Sequence, residues 1–152
     1  MTNLPRKSDI NVYDTLDERS AERSFYGKSC EEIYQDLLTG YQHIQEDLSF
    51  MGPVAFAYYA PAWERLFDTF REAEKAGIVA RWTKCIITCR CFDLEHETQE
   101  SIAALRRMLA SCEAFYRSEA FRTYSSADDC PEDWESVQEE CAKLHALLYP
   151  AT

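Results

Sequence analysis

Residues 29–48 read SCEEIYQDLLTGYQHIQEDL, and this stretch decides the fold. Ser29 and Glu32 stand three apart. That is the spacing of a capping box, in which each side chain takes a backbone N–H that a first helical turn leaves without a partner. Ile33, Leu37, Tyr41, Ile44 and Leu48 then recur at steps of three and four, on one face of a helix. Gly40 costs about 1 kcal/mol relative to alanine within such a run. The regular stripe on both sides of it predicts one continuous helix.

Downstream, Gly52-Pro53 punctuates the chain, and Pro53 suits the first turn of a short helix through Ala60. Pro61 starts or kinks another helix, with Trp63, Leu66, Phe67 and Phe70 on one face and Ala76-Gly77 as its stop. Residues 78–92 fit a helix through Ile78, Trp82, Cys85, Cys89 and Phe92, and also show some strand-like alternation. A lone strand would have no partner, so they read as helix. Thr98 caps a helix with Ile102, Leu105, Leu109, Cys112 and Tyr116 on its apolar face, running on towards Phe121. Residues 124–130 read as a loop. Pro131 opens a last helix striped by Trp134, Val137, Cys141, Leu144 and Leu148, and Pro150 stops it.

Upstream, residues 1–13 read as a flexible polar tail, and a short helix over residues 15–23 ends by Gly27. The expectation is a single domain over residues 14–150. Its fold class is all-α, an irregular bundle of about five main helices plus short helical segments.

Composition agrees with this reading. Four Gly and five Pro in 152 residues are few for a sheet protein with many tight turns. The 16 basic residues against 27 acidic ones give a formal net charge of -11. Such a chain repels nucleic acid and anionic membrane surfaces, so neither is an expected partner. The longest uncharged stretch, residues 48–63, is too short and too interrupted by Gly and Pro to span a bilayer. The seven Cys are odd in number, and residues 1–11 lack the apolar core of a secretory signal. Reduced thiols and a cytoplasmic location are the expectation.

Several constellations bear on chemistry. Cys85 and Cys89 share a helix face, and with Cys141 and His145 they make a zinc quartet on paper. Buried thiols acting as small hydrophobes account for the same residues more simply. Cysteine catalysis needs a base, and His43, His96 and His145 lie in no nucleophile motif. Carboxylate pairs occur at Glu31-Glu32, Glu46-Asp47, Asp128-Asp129, Glu132-Asp133 and Glu139-Glu140, but they read as solvated faces or helix starts before a glycosidase pair, and no Glu-x-x-His metal motif or Gly-rich phosphate loop occurs. The reading is therefore non-enzymatic, with no cofactor and no metal. Residues 128–140 hold seven carboxylates and no Lys or Arg: Asp128, Asp129, Glu132, Asp133, Glu135, Glu139 and Glu140. Part of this cluster complements a helix dipole, and the surplus makes these seven the candidate contacts for a protein partner with a basic surface. The aromatic residues of 50–63 read as core before interface.

Residues 48–53, LSFMGP, and 55–62, AFAYYAPA, resemble the central motif of a family of small uncharacterised bacterial helical proteins, roughly L-S-F-L-x-P-x-A-F-x-Y-Y-L-P-A. Met51 and Ala60 depart from it, since the family prefers Leu at both. The resemblance implies a helical bacterial protein and carries no activity with it. At the level of class, the chain is similar to the immunity proteins of bacterial toxin systems, which are small, acidic and without catalytic motifs. That implies a binder that neutralises a cognate toxin by occluding its active site or substrate groove. The alternatives are a small helical enzyme or ligand-binding domain with an inter-helical pocket, and a structural homodimer using the aromatic segment.

Overall fold

The capping box read from Ser29 forms. The Ser29 hydroxyl accepts the Glu32 N–H at 3.1 Å, and Glu32 takes the Ser29 N–H at 3.2 Å. From it runs α3, Cys30–Phe50, in a computed structural model that describes residues 3–125 and 133–151, with the backbone alone at 41–43. Among these residues the other helices are α1 Lys7–Ile10, α2 Leu16–Phe25, α4 Pro53–Glu64, α5 Leu66–Thr69, α6 Ala73–Cys91, α7 Gln99–Tyr116, α8 Glu119–Ser125 and α9 Trp134–Leu148. A 3-10 turn, Leu94–His96, joins α6 to α7, and the described residues form no strand. The chain is an all-α irregular bundle.

Several boundaries differ from the sequence reading, each for a local reason. Gly40 takes φ −161° and ψ 38°, so α3 is two helical runs joined at a kink. Glycine, with the most conformational freedom to lose, is where a helix yields most readily. Pro61 neither starts nor ends a helix. It faces solvent and forfeits one intrahelical bond, and α4 continues to Glu64. The helix expected to run on to Ala76-Gly77 instead ends at Thr69, whose hydroxyl bonds back to the Arg65 carbonyl at 2.9 Å. Ala76-Gly77 lies inside α6. Gly77 is small for a packing reason: a Cβ there would stand 2.7 Å from the Tyr124 ring of α8. The run towards Phe121 breaks at Arg117, and Ser118 takes the Phe121 N–H at 3.3 Å to begin α8. Tyr124 and Ser125, read as loop, belong to α8, while the helix start placed at Pro131 lies outside the described residues. The segment read as a tail is docked from Lys7 on, with Ile10 fully buried.

The core is drawn from one face of each long helix. α3 packs against α2, α4 and α6, and α7 against α4, α6 and α9. Phe56, Tyr59 and Trp63 of α4 are wholly buried among Leu37, Leu48, Ile86 and Leu105, so most of the aromatic segment is core. Burying a side chain of that size stabilises by roughly 1.5–3 kcal/mol. Their polar ends are satisfied. Trp63 Nε1 donates to Thr83 Oγ1 at 2.7 Å, and the Tyr59 hydroxyl is shared between the Phe25 and Lys28 carbonyls at 2.9 and 2.8 Å. Those carbonyls flank Gly27, whose φ of 81° turns the chain after α2. No helix among the described residues is long and apolar enough to cross a membrane. No disulfide joins the six described cysteines.

Candidate functional site: an acidic cleft with apolar walls

At the end of the bundle where α1, α2, the α3–α4 turn and the α6–α7 connection meet, a cleft of about 490 Å³ opens. Its shape depends first on Gly52. The Gly52 N–H donates to the Ile10 carbonyl at 2.9 Å, and a Cβ on Gly52 would lie 2.1 Å from the Asp9 carbonyl oxygen. Only glycine lets α1 cross the turn this closely.

The next wall is set by Glu18, which is buried at the start of α2. Its carboxylate accepts the Val12 N–H at 2.6 Å, the Tyr13 N–H at 3.0 Å and the Thr15 N–H at 3.3 Å. Asp14, at φ 57°, completes the bend with its N–H on Asn11 Oδ1 at 2.8 Å. Arg19 takes both Asp14 oxygens at 2.8 Å, which holds that carboxyl down at about 2. With its backbone spent this way, the segment leaves the Val12 and Tyr13 side chains exposed.

The floor is Arg90, near the end of α6. Its Nη1 donates to the Leu48 and Met51 carbonyls at 2.9 and 2.8 Å, capping α3. Its Nη2 pairs with Glu97 at 2.9 Å, and its guanidinium lies 4.1 Å from the centre of the Phe56 ring. Burial pulls the guanidinium pKa below its ordinary value, and Glu97 opposes the shift. At the rim, His96 Nδ1 and Asp93 stand 2.6 Å apart, which raises the imidazole pKa. The Tyr13 ring meets His96 edge-on at 6.3 Å.

Five carboxylates line the cleft (Asp9, Asp17, Glu18, Asp93, Glu97) against one guanidinium, Arg90. Among the described residues no cation pairs with Asp17, within 4 Å or at all in the hydrogen-bond network. The walls are apolar. Val12, Tyr13, Phe50 and Val54 line the cleft and are exposed. Leu16 and Phe92, exposed at 79% and 86%, adjoin lining residues in the chain. Four of the eleven large exposed hydrophobics of the described residues thus line this cleft. None was singled out in the sequence as a contact except Phe50, which was read mainly as core.

Cys89 and His96 line the same cleft, yet no hydrogen bond joins them, and His96 spends Nδ1 on Asp93. A nucleophile needs its base within hydrogen-bond reach. Burial also pushes up the thiols of Cys30, Cys85 and Cys91, the last to about 11, so these are protonated near neutral pH. Cys85, Cys89, Cys141 and His145 do not come together as a quartet. No group of three or more His, Cys, Asp or Glu among the described residues could hold a metal ion.

The described part of the acidic segment, residues 133–140, falls elsewhere. Asp128, Asp129 and Glu132 lie outside the described residues. Asp133 caps α9 by accepting the Ser136 N–H at 2.8 Å. Glu140 pairs at 2.8 Å with Lys84 of α6, a buried cation. Glu135 and Glu139 are exposed on α9. Two of the four described carboxylates therefore have structural work. A second groove, of about 410 Å³, runs between α7 and α9 past Tyr116, Trp134, Cys141 and His145, with Arg117 and Glu113 at its edge. None of the four described acidic candidates, Asp133, Glu135, Glu139 and Glu140, lines it. No protein-family model, curated protein or solved structure matches this chain.

Proposed function

We propose that this is a non-catalytic, cytoplasmic protein-binding protein, and more specifically an immunity protein that neutralises a bacterial toxin by covering its active site or substrate groove. One observation supports this best: four large exposed hydrophobics, Val12, Tyr13, Phe50 and Val54, line a single cleft whose lining has a surplus of negative charge. Apolar residues scattered singly over a surface need no explanation, whereas a gathered patch with a polar rim is typical of an interaction surface. The net charge of -11 steers a basic partner, and Tyr13, Val12, Phe50 and Val54 supply area to bury once it arrives. The exposed acids of α9, Glu135 and Glu139, add to the field without forming part of the cleft.

The test is co-expression with the product of an adjacent toxin-like gene. The expected results are a one-to-one complex by light scattering, relief of toxicity, and an association rate that falls by about tenfold or more between low and high salt. Tyr13→Ser combined with Val54→Ser, both exposed positions, should weaken the complex at least about tenfold while leaving the melting temperature unchanged. Failure to form a complex, or undiminished toxicity in its presence, sinks the immunity reading.

A further inference from the structure

Resting on the reading of the cleft as a partner site, we infer that its occupant is a protein segment presenting an arginine next to an aliphatic or aromatic residue. The molecule supplies its own precedent. Arg65 lies 3.5 Å from the centre of the Tyr34 ring while pairing with Glu31. Arg90 lies over Phe56 while pairing with Glu97. In both places an aromatic face and a carboxylate hold one planar guanidinium, both from α3 in the first case and from two elements in the second. The cleft offers the same two components with no guanidinium between them. Tyr13 is an exposed ring, and Asp93 is linked to it through the His96 imidazole, which meets the ring edge-on and holds the carboxylate.

His96 touches only Oδ1 of Asp93, and among the described residues no cation pairs with Asp17 on the α2 side. A guanidinium on the Tyr13 face can therefore take carboxylate oxygen without breaking any bond that shapes the walls. Arginine fits better than lysine here because a flat, delocalised cation stacks on a ring and still points N–H groups sideways to carboxylates. An ammonium does one or the other well. Beside this seat, Val12, Phe50 and Val54 give an apolar slot for the residue flanking the arginine. The Glu18 and Arg90 hydrogen bonds keep ring, carboxylate and slot in register before anything binds, which limits the ordering cost of association.

The probe is a short capped peptide, acetyl-Leu-Arg-Phe-Arg-Leu-amide, titrated into the full-length 15N-labelled protein to about 5 mM, the range of a weak complex. Lysine-for-arginine and glutamine-for-arginine versions are run beside it. Expected are amide shifts centred on Tyr13, Gly52, Val54 and Asp93. Binding should be at least about threefold weaker with lysine and more than about tenfold weaker with glutamine. Tyr13→Leu keeps the wall apolar and should erase the preference for arginine over lysine. Asp93→Asn should weaken the arginine peptide several-fold with the same melting temperature. Shifts centred elsewhere, or equal binding of the arginine and glutamine peptides, overturn the inference. A toxin complex that tolerates both variants overturns it while leaving the proposed function standing. Peptide binding here without any toxin complex does the reverse.

Discussion

Two cations are buried along α6, and they fasten different neighbourhoods in different ways. Arg90 is sealed at the floor of the cleft with a partner, Glu97, whose side chain is only 7% exposed. Lys84, two turns earlier, is equally buried, but its partner Glu140 is 46% exposed. The Lys84 ammonium also lies 4.8 Å from the centre of the Tyr116 ring, so it ties α6 to both α7 and α9. The difference is in what each cation leaves behind. Without Arg90, a carboxylate and two helix-end carbonyls are stranded away from water. Without Lys84, Glu140 turns to solvent. The cleft is thus built on a frame that cannot relax, and the α9 side on a clamp that can.

Replacing each cation by a long apolar residue tests that contrast most directly. Arg90→Met should cost about 3–5 kcal/mol, the range for breaking a buried pair from one side. Lys84→Met should cost about 1–2 kcal/mol, nearer to a single charged hydrogen bond. Urea denaturation of both variants gives the comparison, and equal losses would mean that the two neighbourhoods do not differ in kind. Adding Glu97→Leu to Arg90→Met should recover part of the loss, because the stranded charge goes with it.

A smaller effect is expected from the two buried glycines. Gly52→Ala drives a methyl into the Asp9 backbone, which has nowhere to go without lifting α1. A loss of about 1–3 kcal/mol is expected, together with faster proteolytic cutting around residues 10–13. In Gly77→Ala the methyl meets a side chain, the Tyr124 ring, and not backbone, and alanine regains about 1 kcal/mol of helix propensity. Stability close to that of the parent is expected. If Gly77→Ala were the more damaging of the two by thermal melting, the α8 side would be the stiffer one.

The same contrast explains what could be read in advance. Ser29 with Glu32, Thr98 with its helix, and the stripes through Leu37, Leu105 and Leu144 are local signals, with cause and effect a few residues apart, so the helices and most of the core were legible. Gly77 and Pro61 look like breakers in the sequence because the reasons they are tolerated, the Tyr124 ring and a solvent-facing position, come from tertiary structure. The cleft was not legible at all. Its walls come from residues 8–18, 49–54 and 89–97, and its floor from an arginine that reaches carbonyls about forty residues away. No spacing rule joins such segments. The acidic run of residues 128–140 was conspicuous as composition, yet Asp133 and Glu140 turn out to hold α9 in place. The one sign of the cleft in the sequence was Gly52 itself, a residue without a side chain where helix punctuation alone would have accepted others.

The subtlest test concerns Asp47, which links α3 to α2 behind the cleft. It is buried and accepts the Ser20 hydroxyl at 2.8 Å. Burial raises its pKa above the ordinary aspartate value, against the pull of hydrogen bonds from Ser20 and Ser24. A carboxyl with a higher pKa in the folded chain than in the unfolded one holds its proton more firmly in the fold. As pH rises from the ordinary carboxylate range through the raised value, this group therefore subtracts stability, and the subtraction is complete above it. Asp47→Asn keeps an oxygen for Ser20 and removes the titration. The stability of the variant minus that of the parent should accordingly climb across this window and level off by neutral pH. A difference that falls across the window instead would show that the fold favours the Asp47 anion, and that the hydrogen bonds from Ser20 and Ser24 outweigh its burial.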